Sequence, residues 1–296
     1  MRQTQKMLKN KIKLTGVFGC PIKHTLSPIM HNAAFKASGL NYIYLPFEVK
    51  PKECAGLIIL LPKLGFKGVN ITVPLKQTAY RSVDFLTSSA KMSRSVNTIK
   101  VKNGKLYGTS TDGEGLFQSL KHDAGFNIKG KNIIILGAGG AGRSVAVYLA
   151  VKGANRVIVA NRTKKKSLQA IKLINTYAPK TEAISVPLEE KCIKRFSLTS
   201  DLIINATSLG LNKNDKPAIG SKAFRKDIIF YDMIYNPGFT STMKAAKRAG
   251  ARVYNGLGML LYQGAISWAF WTGKKAPILV MKKALVKANL KNEIKI

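Results

Sequence analysis

The residues of this chain best suited to chemistry fall into short polar clusters at the ends of apolar segments. Val69-Asn70-Ile71-Thr72-Val73-Pro74-Leu75-Lys76 is an apolar run that breaks at a proline and leaves a lysine in what reads as the following turn. Gly108-Thr109-Ser110-Thr111-Asp112-Gly113 supplies a carboxylate after a second run. An ammonium group can deliver a proton to an oxygen that is gaining negative charge, and a carboxylate can orient it. Lys76 and Asp112 are therefore the candidate catalytic pair, although either alone reads equally well as a surface charge. Thr25 and Ser27 flank the start of a helical pattern, and Ser27-Pro28 reads as an N-cap and first-turn pair. Hydroxyls at a helix N-terminus also suit a bound carboxylate. Ser95-Val96-Asn97-Thr98 is a further cluster. His24 and His31 have no carboxylate partner in sequence and read as structural or solvated residues rather than as acids.

A second kind of chemistry is carried by backbone. Ile133-Ile134-Ile135-Leu136 runs straight into Gly137-Ala138-Gly139-Gly140-Ala141-Gly142. A GxGxxG turn between strand and helix lets the backbone approach a pyrophosphate, with free N–H groups of the helix start facing it. About 20 residues further on, a dinucleotide site selective for a free ribose hydroxyl carries an acid. Here the next strand ends Asn161-Arg162-Thr163, and no Asp or Glu occurs between Asp123 and Glu182. Arg162 can pair with a 2′-phosphate, and Asn161 and Thr163 can donate to it, so NADP is the expected cofactor. Lys166, one helical turn along, reads either as added charge for that phosphate or as a solvated lysine.

The elements that must position these residues are legible from pattern. Strands are expected at Leu14–Phe18, Tyr42–Val49 and Lys67–Thr72, with helices at Pro28–Ser38 and Lys52–Leu61 between them. Asn103-Gly104 joins Asn97–Lys102 to Lys105–Thr109 as a hairpin. After a helix at Gly113–Ala124, strands are expected at Asn132–Leu136, Arg156–Ala160, Glu182–Val186, Asp201–Asn205, Asp227–Asp232 and Arg252–Tyr254, alternating with helical segments. The fold class is α/β: an N-terminal α/β substrate domain over 1–112 and a Rossmann, doubly wound parallel-sheet domain over 113–256. The helical segment 257–296 is expected to return to the first domain.

Composition narrows the classes. A chain of 296 residues that is 46% hydrophobic can bury a sizeable core. No apolar stretch approaches the ~20 residues of a membrane span, and the lysine-rich start lacks the apolar segment of a secretory signal and reads as a frayed extension. Cys20, Cys54 and Cys192 lie far apart with no metal or disulfide spacing, which suits a reducing, cytoplasmic setting and no metal. The formal charge of +35, from 49 Lys+Arg against 14 Asp+Glu, raises a non-catalytic polyanion-binding protein as a reading of another class. The lysines are spread through every segment without a nucleic-acid motif, so no specific nucleic acid and no membrane partner is expected. A monomer and a homodimer fit equally.

With these clusters in order from Gly19 to Trp271-Thr272-Gly273, the chain resembles the shikimate dehydrogenase family. The resemblance implies NADPH-dependent reduction of 3-dehydroshikimate to shikimate on the route to chorismate and the aromatic amino acids. It implies that Lys76 is the catalytic lysine and Asp112 its partner, and that Thr25 and Ser27 hold the substrate carboxylate. By the same resemblance Thr72, Asn97, Tyr235 of a Tyr-x-Pro pattern and Gln263 bind substrate, while Tyr235 reads equally as packing. Thr207, in Asn205-Ala206-Thr207-Ser208, lies on the nicotinamide side, and Gly256, which opens the returning segment that carries Gln263, binds the cofactor. The chain departs from the family pattern at Thr25 for serine, Arg94-Ser95 for Gly-Ala and Ser110 for asparagine. The first departure makes quinate, or both acids, the alternative substrate.

Overall fold

The computed structural model describes residues 12–23, 25–212 and 214–293. His24 and most of the amino-terminal extension lie outside the described residues. The chain divides into two compact units, one running to Thr111 and taking in Gln263–Asn292, the other comprising Asp112–Tyr262.

In the first unit the chain runs β1 (Lys13–Gly19), α1 (Ser27–Ala37), β2 (Tyr42–Glu48), α2 (Pro51–Leu60), β3 (Phe66–Ile71), α3 (Lys76–Arg81), β4 (Phe85–Leu86), α4 (Ser88–Ser93), β5 (Thr98–Lys102) and β6 (Lys105–Thr109). Its strands lie in the order β2-β1-β3-β5-β6-β4. Helices α1 and α2 provide the crossovers that make β1 parallel to both β2 and β3. The β5–β6 ladder is antiparallel, and its two-residue turn places Asn103 at φ 50 and Gly104 at φ 72, as the expected hairpin requires. Phe18, Ile58, Val69, Ile71 and Ile99 are core residues of this unit.

Two local expectations are corrected. Lys76 does not lie in a turn but opens α3, because Leu75 and Ala79, four residues apart, both bury against the core. Ser27 is not the N-cap of α1 but its first residue. Leu26 occupies the cap position, and the hydroxyl that accepts the Ser27 N–H, at 3.3 Å, belongs to Thr25.

The second unit continues with α5 (Asp112–His122), β7 (Asn132–Leu136), α6 (Gly140–Val151), β8 (Arg156–Ala160), α7 (Lys164–Tyr177), β9 (Glu182–Val186), α8 (Glu190–Ser197), β10 (Leu202–Asn205), β11 (Ile229–Asp232), α9 (Ser241–Arg248) and β12 (Arg252–Tyr254). Its order is β12-β11-β10-β7-β8-β9, and every ladder is parallel. This is the doubly wound arrangement, with the order reversing at β7. Strand β10 is buried along its whole length and β7 from Ile133 on, as expected of apolar runs covered on both faces. Helices α10 (Leu257–Thr272) and α11 (Ile278–Glu293) complete the chain. Trp271 of α10 donates its indole N–H to the Ile99 carbonyl, at 2.9 Å.

Candidate active site

In the first unit the strand ends carry a buried amide and hydroxyl network. The Tyr44 hydroxyl on β2 donates to Asn70 Oδ1 on β3 at 2.8 Å. Asn70 Nδ2 in turn donates to the Asn97 carbonyl, to Thr98 Oγ1 and to Ser267 Oγ of α10, at 3.1, 2.9 and 3.0 Å. Asn97 is tied at both ends of its amide, donating to Thr111 Oγ1 at 2.8 Å and accepting from the Thr111 N–H at 2.8 Å. Gln263 Oε1 lies 3.4 Å from both Asn97 Nδ2 and Thr111 Oγ1. Expected residues Asn97 and Gln263 are thus brought together, in a setting that can present amides and hydroxyls to a polyol. Asn70, Tyr44, Thr98, Thr111 and Ser267 are not among the residues that sequence reasoning assigns a role. Asn70, though, sits in a buried apolar strand, where a side-chain amide must find partners.

Lys76 joins this region through its backbone. Its carbonyl accepts the Val96 N–H at 3.1 Å, one residue before Asn97. Lys76 is only 9% exposed. Thr72 is anchored by its N–H to the Phe18 carbonyl at 2.9 Å, and its carbonyl accepts the Leu75 N–H that leads into α3. Ser27 is buried and Thr25 half-buried at the start of α1. His31 is fully buried, stacked on Tyr44 with ring centroids 4.4 Å apart. Burial pulls its imidazole down to about 3, so it is neutral near pH 7 and packs rather than donating protons.

In the second unit Asp112 is the first residue of α5 and is buried, at the positive end of the helix dipole. The glycine turn lies between β7 and α6, at the switch point of the sheet. Gly137 has φ +98, and a side chain there would meet the Ala206 carbonyl oxygen at 2.9 Å. A Cβ on Gly142 would strike the Gly137 carbonyl, so close packing of α6 on the turn requires glycine. A Cβ on Gly139 would meet nothing within 4 Å, which leaves the backbone open on that side. Helix α6, with Gly139 as its cap and Gly140 and Ala141 in its first turn, has neither a side-chain cap nor an acidic residue there.

Those features fit a dinucleotide pyrophosphate at the helix start. Asn161 bridges the turn to the next loop, its Oδ1 accepting the Ala138 N–H at 3.0 Å and its Nδ2 donating to the Thr163 carbonyl at 2.9 Å. Arg162, Thr163 and Lys166 are exposed beside it, at the start of α7, which likewise has no acid in its first turn. That donor set suits a 2′-phosphate. Thr207 donates its hydroxyl to Asn205 Oδ1 at 2.7 Å and accepts the Leu209 N–H at 3.1 Å, in the loop packed on Gly137. Gly256 packs against the Met233 carbonyl at the end of β11, and Tyr235 is half-buried in the loop between β11 and α9.

A doubly wound unit with an open glycine turn and a basic second loop, together with a unit lined by amides and hydroxyls, defines the pyridine-nucleotide class of oxidoreductases. Three family matches divide the chain: the shikimate dehydrogenase substrate binding domain over residues 17–99, shikimate / quinate 5-dehydrogenase over 119–227 and the shikimate 5′-dehydrogenase C-terminal domain over 256–286. The shikimate dehydrogenase (NADP(+)) of Methanopyrus kandleri is 39% identical over 276 residues, covering 92% of this chain and 94% of the relative. A crystal structure of a shikimate dehydrogenase in complex with NADP+ superposes with a TM-score of 0.84 at 39% identity, covering 94% of this chain and 96% of that one. The shikimate 5-dehydrogenase of Thermus thermophilus, in complex with NADP(H) and shikimate, gives 0.82 at 32% identity, covering 94% and 100%. The chain belongs to the shikimate dehydrogenase family.

Proposed function

We propose that this chain is an NADP-dependent oxidoreductase that reversibly reduces 3-dehydroshikimate to shikimate, a step of chorismate and aromatic amino acid biosynthesis in the cytoplasm. The observation that carries the reading is the kinship along nearly the whole chain with NADP-linked shikimate dehydrogenases. An open glycine turn followed by Arg162 in place of an acid supports the same cofactor. NADPH, when bound, supplies the hydride.

The chain's own residues do the rest. Gly137 to Gly142 receive the pyrophosphate, with Ala138, Gly139, Gly140 and Ala141 shaping the turn. Arg162, Thr163 and Lys166 clasp the 2′-phosphate while Asn161 holds their loop to the turn. Thr207 borders the nicotinamide, and Gly256 also contacts the cofactor. Thr25 and Ser27 bind the substrate carboxylate at the start of α1, Asn97 binds a ring hydroxyl, and Thr72, Gln263 and Tyr235 make further substrate contacts. Lys76 gives its proton to the oxygen that becomes an alkoxide as the carbonyl is reduced, and Asp112 is its acidic partner. The working division is a substrate-binding and catalytic domain over 1–112, a cofactor domain over 113–256 and helices of 257–296 that serve the first.

The test is a steady-state assay following nicotinamide absorbance with shikimate and with quinate, each with NADP and with NAD. Turnover of shikimate with NADP is expected to exceed the other combinations, and quinate as the faster acid would overturn the substrate. Lys76→Ala is expected to lower kcat by about 10²–10⁴-fold with little change in shikimate binding; near-normal turnover would remove the lysine from proton transfer.

A further inference from the structure

Asp232 closes β11 with no exposed surface, although β11 carries none of the residues assigned above. Every group bonded to it is a donor. Asn205 Nδ2 and the Ile234 N–H reach Oδ1 at 3.0 and 3.1 Å, and the Thr240 hydroxyl reaches Oδ2 at 2.7 Å. The Thr240 hydroxyl spends its proton on this bond, because its oxygen accepts the Met243 N–H at the start of α9. Burial pushes the carboxyl up to about 6, which still leaves it ionised at neutral pH.

An ionised carboxylate can only accept, so Asn205 must turn its NH₂ toward Asp232. The opposite end of the same amide is then its carbonyl oxygen, and that oxygen receives both the Thr207 N–H, at 3.1 Å, and the Thr207 hydroxyl, at 2.7 Å. The hydroxyl oxygen of Thr207 is left to accept the Leu209 N–H, and Asn205 Nδ2 also reaches the Leu209 carbonyl at 3.3 Å. One direction of donation therefore runs from the loop, through Asn205, to Asp232. The loop so fixed is the one against which Gly137 packs, since a Cβ at Gly137 would meet the Ala206 carbonyl oxygen at 2.9 Å and Thr207 Cγ2 at 3.1 Å.

We infer that Asp232 is a positioning residue for cofactor binding: its carboxylate sets the orientation of the Asn205 amide and thereby the shape of the Ala206–Thr207 loop beside the glycine turn. The inference rests on the reading of that turn as the NADP site. An asparagine at 232 keeps the volume but loses the charge and one acceptor and gains a donor, so Asn205 keeps the Thr207 N–H on its oxygen but loses the ionised acceptor that fixes its NH₂.

The test measures NADPH affinity by fluorescence titration, together with kcat and KM for both substrates, on the full-length protein. Asp232→Asn is expected to raise the NADPH Kd about tenfold while leaving KM for the carboxylate substrate within twofold. Thr207→Val breaks the same chain at its far end, and the double variant is expected to bind no worse than the weaker single one, because the two act through one linkage. Asn205→Ser, which removes the amide that the carboxylate orients and leaves Asp232 in place, is expected to raise the NADPH Kd at least threefold, and it carries the test should Asp232→Asn not accumulate folded. Unchanged NADPH affinity in either folded variant, or losses that add in the double variant, would overturn the inference. Failure of the unaltered protein to bind NADPH would instead strike the function from which it starts.

Discussion

Arg94 ends α4 in the left-handed region, at φ 47 and ψ 44, with its N–H shared between the Ala90 and Lys91 carbonyls. This is the backbone state that glycine reaches freely and that costs a residue with a Cβ roughly 1–2 kcal/mol. The next residue carries a second cost. Ser95 is fully buried and its hydroxyl has no hydrogen-bond partner among the described residues, a situation that costs about 1–3 kcal/mol relative to a satisfied or absent group. Both features are destabilising by mechanism. Arg94→Gly and Ser95→Ala are each expected to raise unfolding stability by about 1 kcal/mol, read from the denaturant midpoint at constant slope. Because the side chains are sequence neighbours on one turn, the double variant is expected to gain less than the sum. A loss of stability on Arg94→Gly would mean that the guanidinium's own contacts outweigh the backbone cost.

At the scale of elements, α10 is held to the first unit's sheet by fit rather than by charge. Trp271 lies over Gly68 of β3, and a Cβ there would overlap the indole and come within 2.5 Å of the Ile99 carbonyl that accepts the indole proton. Gly68→Ala is expected to destabilise the fold by about 1–3 kcal/mol through overpacking, with tryptophan fluorescence reporting the displaced ring; a neutral effect would mean that α10 slides at no cost. The sheet strands are legible in the sequence, because β7, β8 and β10 each carry an unbroken apolar run of three or more residues and the Asn103-Gly104 turn admits few alternatives. The short helices are not. Helices α3 and α4 span six residues each, too few for a period to emerge, and so Lys76 reads as a turn residue. The clusters around Lys76, Asn97 and the glycine turn can be read because their residue types are unusual at strand ends. The Asn70–Ser267 and Asn205–Asp232 bonds cannot, since the first depends on how α10 packs on β3 and the second on the β10–β11 register, neither of which pattern alone sets.

The whole molecule carries 49 basic and 14 acidic side chains. Even if every acid were paired, 35 cations would remain without one, so most of the basic charge is balanced by solvent ions. The ion pairs seen are exposed or partly exposed, as with Lys105–Asp84 at 3.7 Å and Lys131–Asp201 at 3.2 Å, and such pairs contribute little. Two consequences of this field have opposite signs in salt. Self-repulsion opposes the compact state and is screened as the Debye length shrinks from roughly 10 Å at 0.1 M to roughly 3 Å at 1 M. The same positive field draws in NADPH and a carboxylate substrate, and that attraction is screened too. Raising NaCl from about 0.1 to about 1 M, the interval over which the Debye length falls about threefold, is therefore expected to raise the thermal midpoint while KM for both anionic substrates rises several-fold and kcat changes little. The split separates a general field from a local one, because a clamp confined to Arg162 and its neighbours would move KM for NADPH without moving the midpoint. A midpoint that falls with salt would show that the pairs made by the 14 acids outweigh the repulsion among the excess cations.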